Sequence, residues 1–559
     1  MSGSAASRPD DLAPVESAII DHIFVLQPSY AVFLGLHRYD GLLPDLTRPA
    51  TDRWTTEADR LLAQLHGVPR ATLSPARQLD HQLLELLLEG GLFDLRESRD
   101  LERNPMPYVG SVSLTPYMVR EYAPLSQRVD AMVRLLRGVP KLLEDGRRRL
   151  DAAIAGPFLT LTRAMLGGLP SHFEEAEALA RSGSPALGDH VREVRGPAEA
   201  AVASFGKAVD EEWEPRKTDE FALGPERFQR LLWVREGVTT PFADLETAGW
   251  ADLRRNQARL DELGRTSRPP ATPQALLERI RTDHPTAAGL VPAAQRLVEE
   301  TKRFVTDHDL ATIPEPAICR VEETPVYGRA LSTASMNPPG PFDVTGDEGI
   351  YYVTPVDPTW TPERQEEWLR SLNRTVLRNV TIHEVYPGHY LQFLHFRRQP
   401  AASLARKVFF SASFVEGWAH YTEQLAIEAG LGAGTPDAEV AQLHDALLRN
   451  CRLLASIGLH TRGMPLEEAT QLFMREGHME RLPAEREAIR GTFNPEYYCY
   501  TLGKLAILDV REKLLAGRYG GSLRAFHDRM LGFGAPPVGV LAGLLDTPPA
   551  PGASSPAPS

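Results

Sequence analysis

The chain has 559 residues, 42% hydrophobic and 24% charged, which suits a large folded protein and excludes a disordered one. A net charge of −13 argues against a nucleic-acid or anionic-membrane surface, and three scattered cysteines, Cys319, Cys451 and Cys499, exclude a disulfide framework or a cysteine zinc cluster. Met1 to Asp11 lacks a basic segment followed by an apolar one, and no run of about 18 apolar residues occurs, so neither a leader nor a membrane span is predicted and the expected compartment is cytoplasmic.

Residues 1–12 are small and polar and predict a disordered tail. Residues 13–314 predict a helical lobe. Apolar residues recur at helical spacing from about 15, over 52–66 and 75–101, and over 125–137, 139–155, 157–166, 171–181 and 193–214. The series continues over 225–236, 242–263, 272–283 and 286–307. Asn104-Pro-Met-Pro107 interrupts it, and Arg147-Arg148-Arg149 reads as a solvated helix face. Near 315 the texture changes, opening a second lobe over 315–546. Ala317 to Glu322 and Gly349 to Val356 predict short strands, the second an edge strand because of Pro355. The pair reads either as a covering hairpin or as an edge that holds an extended peptide. Helices are predicted from Thr361-Pro362-Glu363 onward, then over 413–429, 437–460, 465–477, 483–490, 495–517, 520–531 and 537–546. Thr547 to Ser559, rich in Pro, Ala and Ser, predicts a second disordered tail. The expected fold class is therefore mainly α, in two lobes, with a small β element beside the site described next.

That site centres on Thr381-Ile-His-Glu-Val-Tyr-Pro-Gly-His-Tyr390 and on Phe414-Val-Glu-Gly-Trp418. His383, His389 and Glu416 are the candidate metal ligands. Two neutral imidazoles and a carboxylate suit one Zn²⁺, which takes three protein ligands in hydrolytic sites and acidifies a water at the fourth position. Glu384, adjacent to a ligand but free of the metal, is the candidate general base. The histidines are 389 − 383 = 6 residues apart, whereas the usual spacing is four. Six residues on a straight helix turn the second side chain about 120° away from the first. Pro387-Gly388 supplies the break that would bring it back: proline cannot bond the carbonyl of His383, and glycine reaches backbone conformations closed to other residues. Leu369, Leu372, Val376, Val380 and His383 follow one buried stripe, which suits a ligand and also a core histidine. Glu416, His420 and Glu423 lie at i, i+4 and i+7. That stripe reads either as a solvated face or as a ligand, Glu416, with His420 and Glu423 supporting the ligands or facing substrate.

With these motifs on the page, the chain resembles the bacterial DUF885 family, through His383-Glu-Val-Tyr-Pro-Gly-His389 and Glu416-Gly-Trp-Ala-His-Tyr-Thr-Glu423. Leu223-Gly-Pro-Glu226, Gly458-Leu-His460, Tyr500-Thr-Leu-Gly-Lys504 and Phe526-His-Asp528 extend the resemblance over roughly 20 to 546. It implies a largely helical protein related to helical zinc peptidases, and marks His460 as a family-associated position that core packing explains equally well. The thimet oligopeptidase group is similar at greater distance. Its third zinc ligand is the Glu of a Phe-Val-Glu segment, matched here by Phe414-Val-Glu416, and its tyrosine loop is matched by Tyr497-Tyr-Cys-Tyr500, with Cys499 in place of a glycine. By that match Tyr500, then Tyr497, would donate a hydroxyl to a developing oxyanion.

Three functions are thereby set against one another. The first is a zinc-dependent metallopeptidase acting on short peptides. The second is a metal-dependent hydrolase of an amide-bearing small molecule. The third is a non-catalytic helical protein that has lost its metal.

Overall fold

A computed structural model describes residues 11–329, 332–344, 346–399 and 403–547, the side chain of Tyr327 excepted. The expected disordered segments 1–12 and 547–559 lie outside the described residues apart from Asp11, Leu12 and Thr547. Within the described residues the chain is mainly α, as its periodicities predict, with one three-stranded sheet.

Two predicted breaks become continuous helices. Leu125–Arg149 runs through Pro140, and Gly156–Gly183 runs through Pro170. An interior proline costs about 3 kcal/mol. The apolar stripe nevertheless continues across it: Leu135, Leu136, Val139, Leu142 and Leu143 are all buried. Burial of about 1.5–3 kcal/mol per large side chain outweighs one missing hydrogen bond. With Pro185–Ala208 these helices enclose a core that includes Leu136, Phe173 and Phe205. The largest core draws on both sides of position 314, joining Ile19, Leu83 and Val298 to Tyr351, Leu377, Val385 and Trp418.

The sheet differs from the expected hairpin. Its strands are β1 (Cys319–Glu323), β2 (Ala334–Asn337) and β3 (Gly349–Val353), in the order β1-β3-β2. β3 pairs parallel with β1 and antiparallel with β2, so it is the central strand and not an edge. All five of its residues are buried. Pro355 lies beyond its end and removes no ladder bond. β2, Ala-Ser-Met-Asn, lacks the β-branched residues that would have announced it.

The stripe from Leu369 to His383 spans two helices, Pro362–Ser371 and Arg374–Glu384, where one was expected. Asn373 ends the first and starts the second, its Oδ1 accepting the N–H groups of Thr375 and Val376 at 3.2 and 3.1 Å.

Two helices that flank the site cross at glycines. A Cβ on Gly503, in Cys499–Arg518, would stand 1.7 Å from the Ser413 carbonyl oxygen, and one on Gly417, in Ala412–Glu428, 2.4 Å from the Gly503 Cα. Only bare backbones allow this approach, which sets Tyr500 and Glu416 side by side. Gly503→Ala is therefore expected to destabilise the protein by about 2 kcal/mol or more in chemical denaturation, since backbone must move to relieve the contact.

Candidate metal centre

The break between the histidines is where the expectation placed it. The helix Arg374–Glu384 closes with Val385 N–H on the Thr381 carbonyl at 2.8 Å. Gly388 N–H then reaches back to Ile382 O at 3.0 Å, and Leu391 N–H to Val385 O at 3.2 Å. These two wide loops absorb the surplus residues before the helix His389–Arg397 begins. Gly388 plays the expected part. Its φ of −73° is ordinary, but its ψ of −135° lies outside the β and α regions open to other residues, and a Cβ there would stand 1.8 Å from His383 O and 2.3 Å from Ile382 O. Glycine is needed both for this backbone conformation and for the close approach it creates. Trp418 Nε1–H donates to Pro387 O at 2.9 Å, tying the break to the helix that carries Glu416.

The result is convergence. His383, His389 and Glu416 each offer a ligand atom within 4.8 Å of the others. Glu416 Oε2 lies 3.4 Å from His383 Nε2 and 3.5 Å from His389 Nε2, with the two imidazoles nearly perpendicular at 83°. Ligands about 2.0–2.1 Å from a tetrahedral Zn²⁺ are separated by about 3.4 Å. The donor set suits such an ion, and the two separations from Glu416 match that spacing, while the three donor atoms lie within 4.8 Å of one another. Both imidazoles are buried, and Glu416 is partly exposed.

Behind His383 stands a charged scaffold. Its Nδ1 is 2.7 Å from Glu423 Oε1, and Glu423 is fully buried. Glu423 also accepts from Arg449 Nη1 at 3.0 Å and from Asn379 Nδ2 at 3.1 Å. A carboxylate held in this way orients the imidazole so that Nε2 faces the cluster. Burial disfavours charge on His383, but the carboxylates of Glu416 and Glu423 outweigh it and lift the imidazole to about 9. Burial would likewise raise Glu423, yet the Arg449 charge and the His383 bond hold it well below the carboxylate range. Among the described residues His389 Nδ1 has no comparable partner.

Glu384 sits beside the cluster without joining it. Burial pushes its carboxyl above the usual range, while the two histidines and the Met336 backbone of β2 pull it down. Tyr500, on the first turn of Cys499–Arg518, lies with its ring 6.4 Å from that of His383 and 24° from parallel.

The remaining expected site residues lie apart from the cluster. Tyr497 is fully buried in a core with Leu459 and Ala488, away from the metal ligands. Tyr497 lies on the turn Pro495–Tyr498, ahead of the helix that carries Tyr500, and of the two only the Tyr500 ring contacts a ligand histidine. His460 is a core histidine: Nε2–H donates to Gly491 O at 2.8 Å, Nδ1 accepts Leu223 N–H at 3.4 Å, and the ring stacks on Phe228. His420 is fully buried, its Nδ1 3.5 Å from Glu423 Oε2, where it backs the carboxylate that orients His383. Arg449 and Asn379 escaped the sequence reading. The available signal was Arg449-Asn-Cys-Arg452, two cations inside an otherwise apolar helical stretch.

Glu236 governs the start of the Glu416 helix. Its carboxylate accepts Ser413 N–H at 2.9 Å and the Ser411 hydroxyl at 2.5 Å, while Ser411 Oγ caps Phe414 N–H at 2.9 Å. Burial pushes Glu236 up to about 7 against those bonds. A raised folded value means stability present at low pH and lost as pH rises from the unfolded value of 4.5 through about 7. Between pH 5 and pH 8 the stability of Glu236→Gln relative to the parent is expected to improve by about 2 kcal/mol in urea unfolding.

A family model described as "Bacterial protein of unknown function (DUF885)" matches residues 28–545. No curated protein matches the chain. Among solved structures, a "putative lipoprotein of unknown function" from Shewanella oneidensis is similar over 97% of this chain and 100% of its own, with TM-score 0.78 and 24% identity. A "putative lipoprotein" from Colwellia psychrerythraea is similar over 96% and 98%, with TM-score 0.75 and 16% identity. These likenesses establish the fold. They also overturn the cytoplasmic expectation, since lipoproteins are held at membranes by a lipid and both neighbours carry that description. The expectation rested on a leader and a span not seen in the sequence, and such absences define no compartment. Among the described residues no helix is long and apolar enough to cross a membrane.

Proposed function

Since the chain belongs to the DUF885 family of bacterial proteins of unknown function, we propose from its site alone that it is a zinc-dependent metallopeptidase of short peptides. The observation that carries this reading is the spacing of His383 Nε2, His389 Nε2 and Glu416 Oε2, 3.4 and 3.5 Å about the carboxylate oxygen. These three residues would hold the ion. When bound, zinc would supply Lewis acidity toward a water and a scissile carbonyl.

The rest falls to the chain's own groups. Glu384 takes the proton of the attacking water and returns it to the leaving amine; its partly buried carboxyl, raised in basicity, suits that exchange. Tyr500 donates its hydroxyl toward the developing oxyanion. Glu423, fixed by Arg449, keeps His383 oriented. The outer edge of β2, where Ser332 Oγ already bonds Ala334 O at 2.5 Å, supports a peptide substrate. Thr354 N–H bonds Thr333 O, so the alternation of an antiparallel ladder turns the N–H and C=O of Ala334 and Met336 outward. The Met336 backbone acts on the Glu384 carboxyl. An extended peptide pairing with this edge would pass directly beside the base.

The test is zinc analysis and peptide profiling of untagged protein. Stoichiometric zinc, hydrolysis of short peptides, abolition by chelator and restoration by zinc are expected. Protein that binds no zinc and cleaves no peptide would refute the reading and favour a helical protein without metal.

A further inference from the structure

Two guanidinium groups stand over the Tyr500 ring. Arg449 and Arg452 lie one turn apart on the helix Asp437–Thr461, and so on one side of it, with their guanidinium carbons 5.6 and 5.1 Å from the ring centroid. Both fall inside the range of about 6 Å over which a cation is drawn to an aromatic face. Each guanidinium is itself held. Arg449 bonds both carboxylate oxygens of Glu423, at 3.0 and 2.9 Å. Arg452, buried, grips Glu487 of the helix Arg481–Phe493 with a two-pronged bond, Nε to Oε2 and Nη2 to Oε1, each 2.8 Å. The Tyr500 ring in turn lies 6.4 Å from that of His383. Arg449 therefore serves the metal scaffold and the tyrosine together, whereas Arg452 is anchored on a third helix and reaches the site through Tyr500.

We propose that Arg452, clamped by Glu487, is a positioning residue that fixes the Tyr500 ring and so aims its hydroxyl at the oxyanion. This rests on the metallopeptidase reading. With its hydroxyl kept for the transition state, Tyr500 has only its ring by which to be held, and a catalytic group displaced by about 1 Å loses much of its effect. An ion pair with Glu487 alone would be served as well by lysine. Holding an aromatic face is what the planar, weakly hydrated guanidinium adds. Because Tyr500 meets the oxyanion only in the transition state, loosening it lowers kcat and leaves substrate binding in place.

The test uses the zinc-loaded full chain, a fluorogenic tetrapeptide and Arg452→Lys, which keeps the charge opposite Glu487 and gives up the planar face. Its kcat is expected to fall about tenfold, the scale of a desolvated cation–aromatic contact, with KM within about twofold of the parent. Placed in Tyr500→Phe, the same substitution should cost no more than about twofold further, because the hydroxyl it positions is already gone. A merely structural role would cost the same in both backgrounds. A reading without turnover comes from a fluorotyrosine at position 500: its fluorine resonance should be single and narrow in the parent and broadened or divided in Arg452→Lys. Where Arg452→Lys folds poorly, Glu487→Gln, which frees Arg452 from its clamp, should move both readings in the same sense. Equal losses in the two Tyr500 backgrounds, or a resonance that neither substitution changes, overturn the assignment and leave the peptidase reading standing. A parent that cleaves no peptide overturns both.

Discussion

Glu384→Gln is expected to leave the zinc content of the protein intact and to lower kcat on a short peptide by about 10³-fold, the range of a lost general base. The carboxylate is next in sequence to a ligand, but the ligand cluster comprises His383, His389 and Glu416 without it. Glutamine preserves its volume and hydrogen-bonding shape, so the change removes chiefly proton transfer. Glu416→Gln is the contrasting variant: it removes a charged ligand, and zinc should be lost together with activity. Both are read by metal analysis and kinetics on the same preparations. If Glu384→Gln turns over at the parental rate, the base has been assigned to the wrong residue.

Gly388→Ala is expected to weaken zinc binding by at least the roughly 10–100-fold that outer-shell changes cost a metal site, and to destabilise the fold by about 3 kcal/mol. The new methyl would meet His383 O at 1.8 Å and Ile382 O at 2.3 Å. Both are backbone atoms, and one belongs to a ligand, so the clash is relieved only by shifting His383 against His389. A helical glycine with open surroundings provides the control. Gly196 has nothing within 4 Å of an added Cβ, and Gly196→Ala should be neutral or slightly stabilising. Zinc competition with a chromogenic chelator and thermal melting with and without zinc distinguish the two variants. An unchanged zinc affinity in Gly388→Ala would mean that the close turn does not hold the ligands together.

The mainly helical character was legible because amphipathic periodicity is local: each stripe is written within one segment. Helix continuity at Pro140 and Pro170 was less so. Proline carries a fixed local cost, while the burial that outweighs it depends on neighbours distant in sequence. The order of the strands was illegible for the same reason. Nothing in Gly349–Val353 states that one edge pairs with Cys319–Glu323 and the other with Ala334–Asn337.

At the site, the residue types at 383, 384, 389 and 416, and the need for a break at Pro387-Gly388, follow from the sequence, because ligand chemistry and proline sterics belong to the residues themselves. Tertiary structure alone decided that Tyr500 meets His383 while Tyr497 enters the core, that His460 bonds Gly491 instead of the cluster, and that Glu423 is held by Arg449 from another helix. Those outcomes depend on how helices cross, at contacts such as Gly417 against Gly503. A crossing is a property of two surfaces together, and neither segment encodes it by itself.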